Sequence, residues 1–124
     1  MTIEIPSKNW SSFCDRITEL PQEAVSIGLT EPGGRNRAVV NEVPLVRMVF
    51  QKQNDACNDV LTIATGLPNE RPLQHEVLEP IRIVLWRSPD RTRFNRLEIL
   101  AENGTTEVHF RPGIITSLLE PLVR

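Results

Sequence analysis

A chain of 124 residues is long enough for one domain. By burying roughly two thirds of its unfolded surface it needs no disulfide or metal staple. Hydrophobic residues at 40% and charged residues at 24% exclude a disordered or fibrous chain, and a net charge of -2 argues against a global polyanion binder. No apolar run approaches the ~20 residues that span a bilayer, and the start, Met-Thr-Ile-Glu-Ile-Pro, lacks the basic and apolar parts of a signal peptide. A soluble, cytoplasmic protein with no membrane partner is expected.

Ser7 to Leu20 reads as a helix. Trp10, Phe13, Cys14, Ile17 and Leu20 recur at helical spacing, with polar residues opposite. Ser7 is placed as the N-cap, and Pro21 as the stop. The Trp and Phe on the stripe predict that the helix docks on a sheet. The two cysteines, Cys14 and Cys57, form no C-x-x-C and have no histidine near them, so no zinc site is expected and both thiols should be free.

After Pro21 the period changes to two. Val25, Ile27 and Leu29 alternate with Ser26, Gly28 and Thr30, which predicts a half-buried strand. Glu31 to Arg35 is a turn with two glycines, and Ala38 to Val43 a second strand. Pro44 interrupts, as proline does at an edge or bulge. Leu45 to Gln51 resumes as strand, Gln53-Asn54-Asp55 opens a loop, and Asp59 to Thr65 is the next strand. After the loop Gly66 to Pro72, the stretch Leu73 to Trp86 is divided by Pro80, where a bend is expected. Leu73, His75 and Val77 share one face before it; Ile81, Ile83 and Leu85 share one after it. Ser88 to Arg91 is a turn. Phe94 to Ala101 and Glu107 to Phe110 form a hairpin around Glu102-Asn103-Gly104-Thr105, in which Asn-Gly suits the positive φ angles of a type I′ turn. Ile115, Leu118, Leu119 and Leu122 suit a short helix, truncated by Pro121.

The expected fold is mainly β, within the α+β class. An N-terminal amphipathic helix packs on a curved antiparallel sheet, either a sandwich or a partly open barrel, with a short C-terminal helix. The single domain divides into a helix over 7–20, antiparallel strands over 24–111 and a helical tail over 114–124.

Ile5-Pro6, Trp10 and Phe13 on a helix, Pro44-Leu45, Leu73-x-His75, Pro80, Leu97-x-Ile99, and Gly104 before Val108-x-Phe110 follow one another in an order that resembles a bacterial family known as domain of unknown function 5335. The resemblance runs from Ile5 to about Ile114. It implies a small bacterial protein, commonly a stand-alone domain, and brings no catalytic residue. The Arg-rich segment from Arg87 to Arg96 is not part of the pattern.

That segment comes closest to a functional signal. Four of the 14 basic residues fall between Trp86 and Arg96, with two aromatics. Trp86, Arg87, Arg91, Arg93, Phe94 and Arg96 are the candidate binding residues: guanidinium groups suit bidentate anion contacts, and aromatic rings stack on bases. Solvated charges protecting a sheet edge account for the same residues. Strand alternation puts Arg91, Arg93 and Asn95 on one side and Thr92, Phe94 and Arg96 on the other, so the four arginines should not share a face.

His75-Glu76 and the group Glu107, His109 and Arg111 carry the residue types of acid-base chemistry. His75 and Glu76 point to opposite faces, however, and a half-buried structural histidine is expected at 75. Glu107 and His109 share the solvent face, where a cross-strand charge pair is expected. No nucleophile elbow, P-loop or dinucleotide fingerprint occurs, nor any cation loop. No catalytic residue, metal or cofactor is therefore assigned. The leading reading is a non-catalytic protein-interaction or regulatory domain that binds a protein partner or itself. Alternatives are a weak nucleic-acid binder through the Arg-rich hairpin and, more distantly, an acid-base enzyme around His75.

Overall fold

Apolar side chains at helical spacing create the first element. A 3₁₀ turn over Ser7–Asn9 leads into α1, Trp10–Glu19, whose buried residues are Trp10, Phe13, Cys14 and Ile17. These facts come from a computed structural model that describes residues 2–20, 22–52 and 59–123; Pro21, the loop expected at Gln53-Asn54-Asp55, and Cys57 lie outside them. Ser7 is not the N-cap. The 3₁₀ turn already engages the Asn9 amide with the Pro6 carbonyl at 2.9 Å, and Asn9 takes the cap position. Trp10 anchors the helix: its indole N–H donates to the Ile5 carbonyl at 3.0 Å, and its ring meets Phe50 edge-on at 5.4 Å. Truncating such a buried aromatic costs about 3–5 kcal/mol.

Among the described residues two antiparallel sheets form, neither of them closed. The larger has six strands. In spatial order these are β1 (Thr2–Glu4), β7 (Pro80–Arg87), β8 (Arg93–Ala101), β9 (Gly104–Ile115), β2 (Ala24–Thr30) and β3 (Asn36–Val43). The smaller has three: β4 (Leu45–Gln51), β5 (Val60–Thr65) and β6 (Leu73–Leu78). Met48, Leu61, Ile63 and Val77 of the small sheet join Val25, Ile27, Ile83, Leu85, Leu97, Ile99, Val108 and Phe110 of the large one in a single core, together with the α1 stripe. The architecture is an open sandwich with a helix filling one side. Among the described residues no helix is long and apolar enough to cross a membrane.

The two prolines that interrupt strand patterns mark the places where the chain changes sheet. Pro44 separates β3 in the large sheet from β4 in the small one, and Pro80 opens β7 as the chain returns from β6. Glu79, before Pro80, adopts φ +50, and its amide donates to the Asp59 carbonyl at 2.7 Å. The bend is there, but Ile81 does not share a face with Ile83 and Leu85. A register shift between Pro80 and Arg82 buries Pro80 and leaves Ile81 60% exposed, because a bulge reverses the alternation on one side of it.

The β8–β9 hairpin also differs from expectation. Its two-residue loop is Glu102-Asn103, closed by the Ala101–Gly104 pair, and Asn103 has no positive φ. Gly104 has φ +141, and a Cβ there would lie 2.6 Å from the Thr30 carbonyl oxygen. Strand β9 continues through Pro112-Gly113 to Ile115, and the tail forms α2 (Thr116–Leu119) followed by a 3₁₀ turn over Glu120–Leu122. Of its apolar residues, Leu119 is buried and Leu122 packs on the core, whereas Ile115 and Leu118 are exposed.

Candidate functional site

Alternation along the large sheet sends half of its side chains away from the core, and the strand register lines them up in rows. Thr2, Trp86, Arg96, His109 and Ser26 stand opposite one another across β1, β7, β8, β9 and β2. The next row is Glu4, Val84, Glu98, Glu107 and Gly28. Directly opposite residues lie on the same face and interact.

The first row holds the strongest feature of this face. The Arg96 guanidinium stacks 4.0 Å from the centre of the Trp86 ring, and one of its terminal nitrogens meets Glu98 at 3.1 Å. His109 approaches Glu107 of its own strand at 3.5 Å. The charge pair expected across strands is thus formed along one strand, and the cross-strand neighbour of His109 is Arg96. Trp86, Arg87, Asn95, Arg96 and His109 line a recess of about 270 Å³. The Trp86 indole N–H and the Arg96 Nε–H are shut off from solvent and have no acceptor among the described residues.

Only part of the sequence-predicted set converges here. Arg87 lines the recess with its guanidinium 5.7 Å from the Phe94 ring centre. Phe94 itself is fully buried in the core, so it offers no stacking surface. Nor do Phe94 and Arg96 share a face. Pairing with β9 jumps from Phe94–Ile114 to Arg96–His109, and this irregularity at Asn95 turns Phe94 inward and Arg96 outward. Arg93 is a structural residue, donating to the Gly113 carbonyl at 3.2 Å. Arg91 is exposed in the turn before β8, with φ +63. That turn is organised by Asp90, whose carboxylate accepts from the Ser88 hydroxyl at 2.6 Å, the Thr92 hydroxyl at 2.8 Å and the Thr92 amide at 3.1 Å. These bonds, the Ser88 one foremost, hold its pKa down to about 2. The four arginines occupy no common face.

Asn95 and His109 line the same recess as Trp86 with no local sequence signal that places them there. His109 was legible as a solvent-facing residue, but its place beside Arg96 depends on the β8–β9 register.

A second concave feature surrounds His75. A cleft of about 200 Å³ between β6 and the ends of β2, β3 and the β8–β9 loop is lined by residues that include Arg37, His75, Glu76, Asn103 and Thr106. His75 is half-buried, and its Nε2 lies 3.4 Å from the Thr106 hydroxyl. Burial first, and the Arg37 charge second, hold its pKa below the usual imidazole range. The half-burial is as expected, and no carboxylate among the described residues hydrogen-bonds to the ring. Nor does any group of three His, Cys, Asp or Glu among them come together as a metal site.

Comparison with family models, with curated proteins and with solved structures returned no match for this chain.

Proposed function

We propose that this protein is a non-catalytic interaction domain that binds a protein partner on the outer face of its large sheet. The observation that carries this reading is the Trp86–Arg96 stack in the middle of an open sheet face. Tryptophan and arginine are the residues that most often dominate interface energetics, because each combines large apolar area with directional donors. Around the stack the charges are mixed. Glu98 answers Arg96, Glu4 answers Arg82 at 2.6 Å, and Glu42 answers Arg111 at 2.7 Å, while Glu107 stands 3.5 Å from His109. A face that alternates sign suits a protein surface with complementary charges; a nucleic-acid backbone calls for a continuous basic groove.

The test is affinity capture from the native host with wild type, Arg96→Glu and Arg91→Glu. Arg96→Glu puts a like charge beside Glu98 and removes the stack, while Arg91→Glu reverses a charge of the same segment away from the recess. Proteins held by wild type and by Arg91→Glu should be lost with Arg96→Glu, circular dichroism showing all three folded. Equal capture by all three would move the interaction off this face.

A further inference from the structure

We infer that the recess beside Trp86 is a receptor for a single carboxylate, an Asp or Glu side chain of the protein partner; this deepens the sheet-face reading above and rests on it. Buried hydrogen-bond donors in folded proteins almost always have acceptors, so a pair of adjacent donors without one calls for an explanation. The Trp86 Nε1–H and the Arg96 Nε–H are such a pair, and they belong to side chains in stacking contact. Their side chains, with Arg87, Asn95 and His109, line the recess, and the two N–H groups themselves lie beneath its surface. Each of these side chains can donate a hydrogen bond, and none is acidic. Complementarity therefore asks for an acceptor carrying negative charge. An incoming carboxylate that tilts the Arg96 guanidinium from the ring takes Nε–H with one oxygen and the indole N–H with the other.

The surroundings select among anions. Glu98, 3.1 Å from the Arg96 guanidinium, and Glu107, 3.5 Å from His109, stand in the adjacent row. They repel a dianion or a polyphosphate more than one carboxylate, and they make the ligand compete for Arg96. The recess is open to one side and encloses nothing completely, which fits a side chain presented by a loop or strand lying across the sheet. Salt should weaken the contact, as it weakens other exposed charge pairs.

The experiment is a titration of ¹⁵N-labelled protein with N-acetyl-hexaglutamate amide, following the Trp86 indole N–H and the Arg96 Nε–H resonances. Trp86→Phe identifies the Trp86 signal, since the chain has two tryptophans. Both resonances should move downfield together and saturate, and hexaglutamine should leave them still. Trp86→Phe keeps the ring and removes the N–H; Arg96→Lys keeps the charge and removes Nε–H. Each should weaken binding about tenfold. Hexaglutamate binding with both resonances unmoved, or no response to the peptide at all, overturns the carboxylate receptor and leaves the sheet-face reading to the capture experiment. A response to free acetate equal to that of the peptide per carboxylate overturns the assignment to a partner side chain. A response to inorganic phosphate or to oligo(dT) without one to hexaglutamate overturns the choice of ligand.

Discussion

Thr18 of α1 closes the exposed edge of β4 at Met48. The Met48 amide donates to the Thr18 hydroxyl at 2.9 Å, and that hydroxyl lies 2.9 Å from both the Met48 and the Cys14 carbonyls. A helix side chain thus satisfies edge groups that would otherwise be open to pairing with another chain. Thr18→Val keeps the shape and removes the acceptor. It should cost about 1–3 kcal/mol, read as a lower urea midpoint with an unchanged slope. Concentration-dependent association of the variant would follow from the uncovered edge.

Cys14 is a free, fully buried thiol whose pKa is pushed up to about 12, by burial first and by Asp15 second. The folded state therefore holds this proton more tightly than the unfolded state. Its contribution to stability is complete below about pH 9 and is lost as pH rises from about 9 towards about 12. Denaturation midpoints measured across that range should fall in wild type, and the fall should be smaller in Cys14→Ala. A native thiol assay should find Cys14 unreactive until the protein unfolds.

His75 has the opposite linkage. Its folded pKa lies below the unfolded value, so its contribution is complete above the unfolded pKa of ~6.5 and is lost as pH falls through the folded one. Imidazole resonances should show His75 titrating below its unfolded value. Arg37→Gln should move His75 upward without restoring the unfolded value, because burial is the larger cause. An unmoved His75 in that variant would mean that Arg37 does not act on it.

Gly104→Ala should be among the most damaging single-methyl changes. Positive φ at 141° strains an L side chain by about 1–3 kcal/mol, and the new Cβ would also meet the Thr30 carbonyl oxygen at 2.6 Å. The main chain of β2 has to shift, so the variant should show lost stability and altered amide shifts in both β2 and β9. Gly33→Ala in the β2–β3 turn, where nothing lies within 4 Å, is the matched control.

Local pattern by itself determined much of this protein. The stripe from Trp10 to Ile17 marked the helix and its buried face, Leu45–Gln51 was legible as a strand to the residue, and Val25 and Ile27 were legible as core. These features depend on side-chain periods of 3.6 and 2, which neighbours along the chain set among themselves. The prolines at 44 and 80 were legible as interruptions too. That each of them carries the chain from one sheet to the other was decided by tertiary packing. So was the strand Thr2–Glu4, three residues long, which exists because it has β7 to pair with. The bulges that expose Ile81 and turn Phe94 away from Arg96 shift alternation by one residue, and only the partner strand shows where. The candidate site follows the same division. Its residue types stood together in the Arg-rich segment, but the recess brings Trp86, Arg96 and His109 from three strands, and the register between those strands is a long-range property that no local pattern contains.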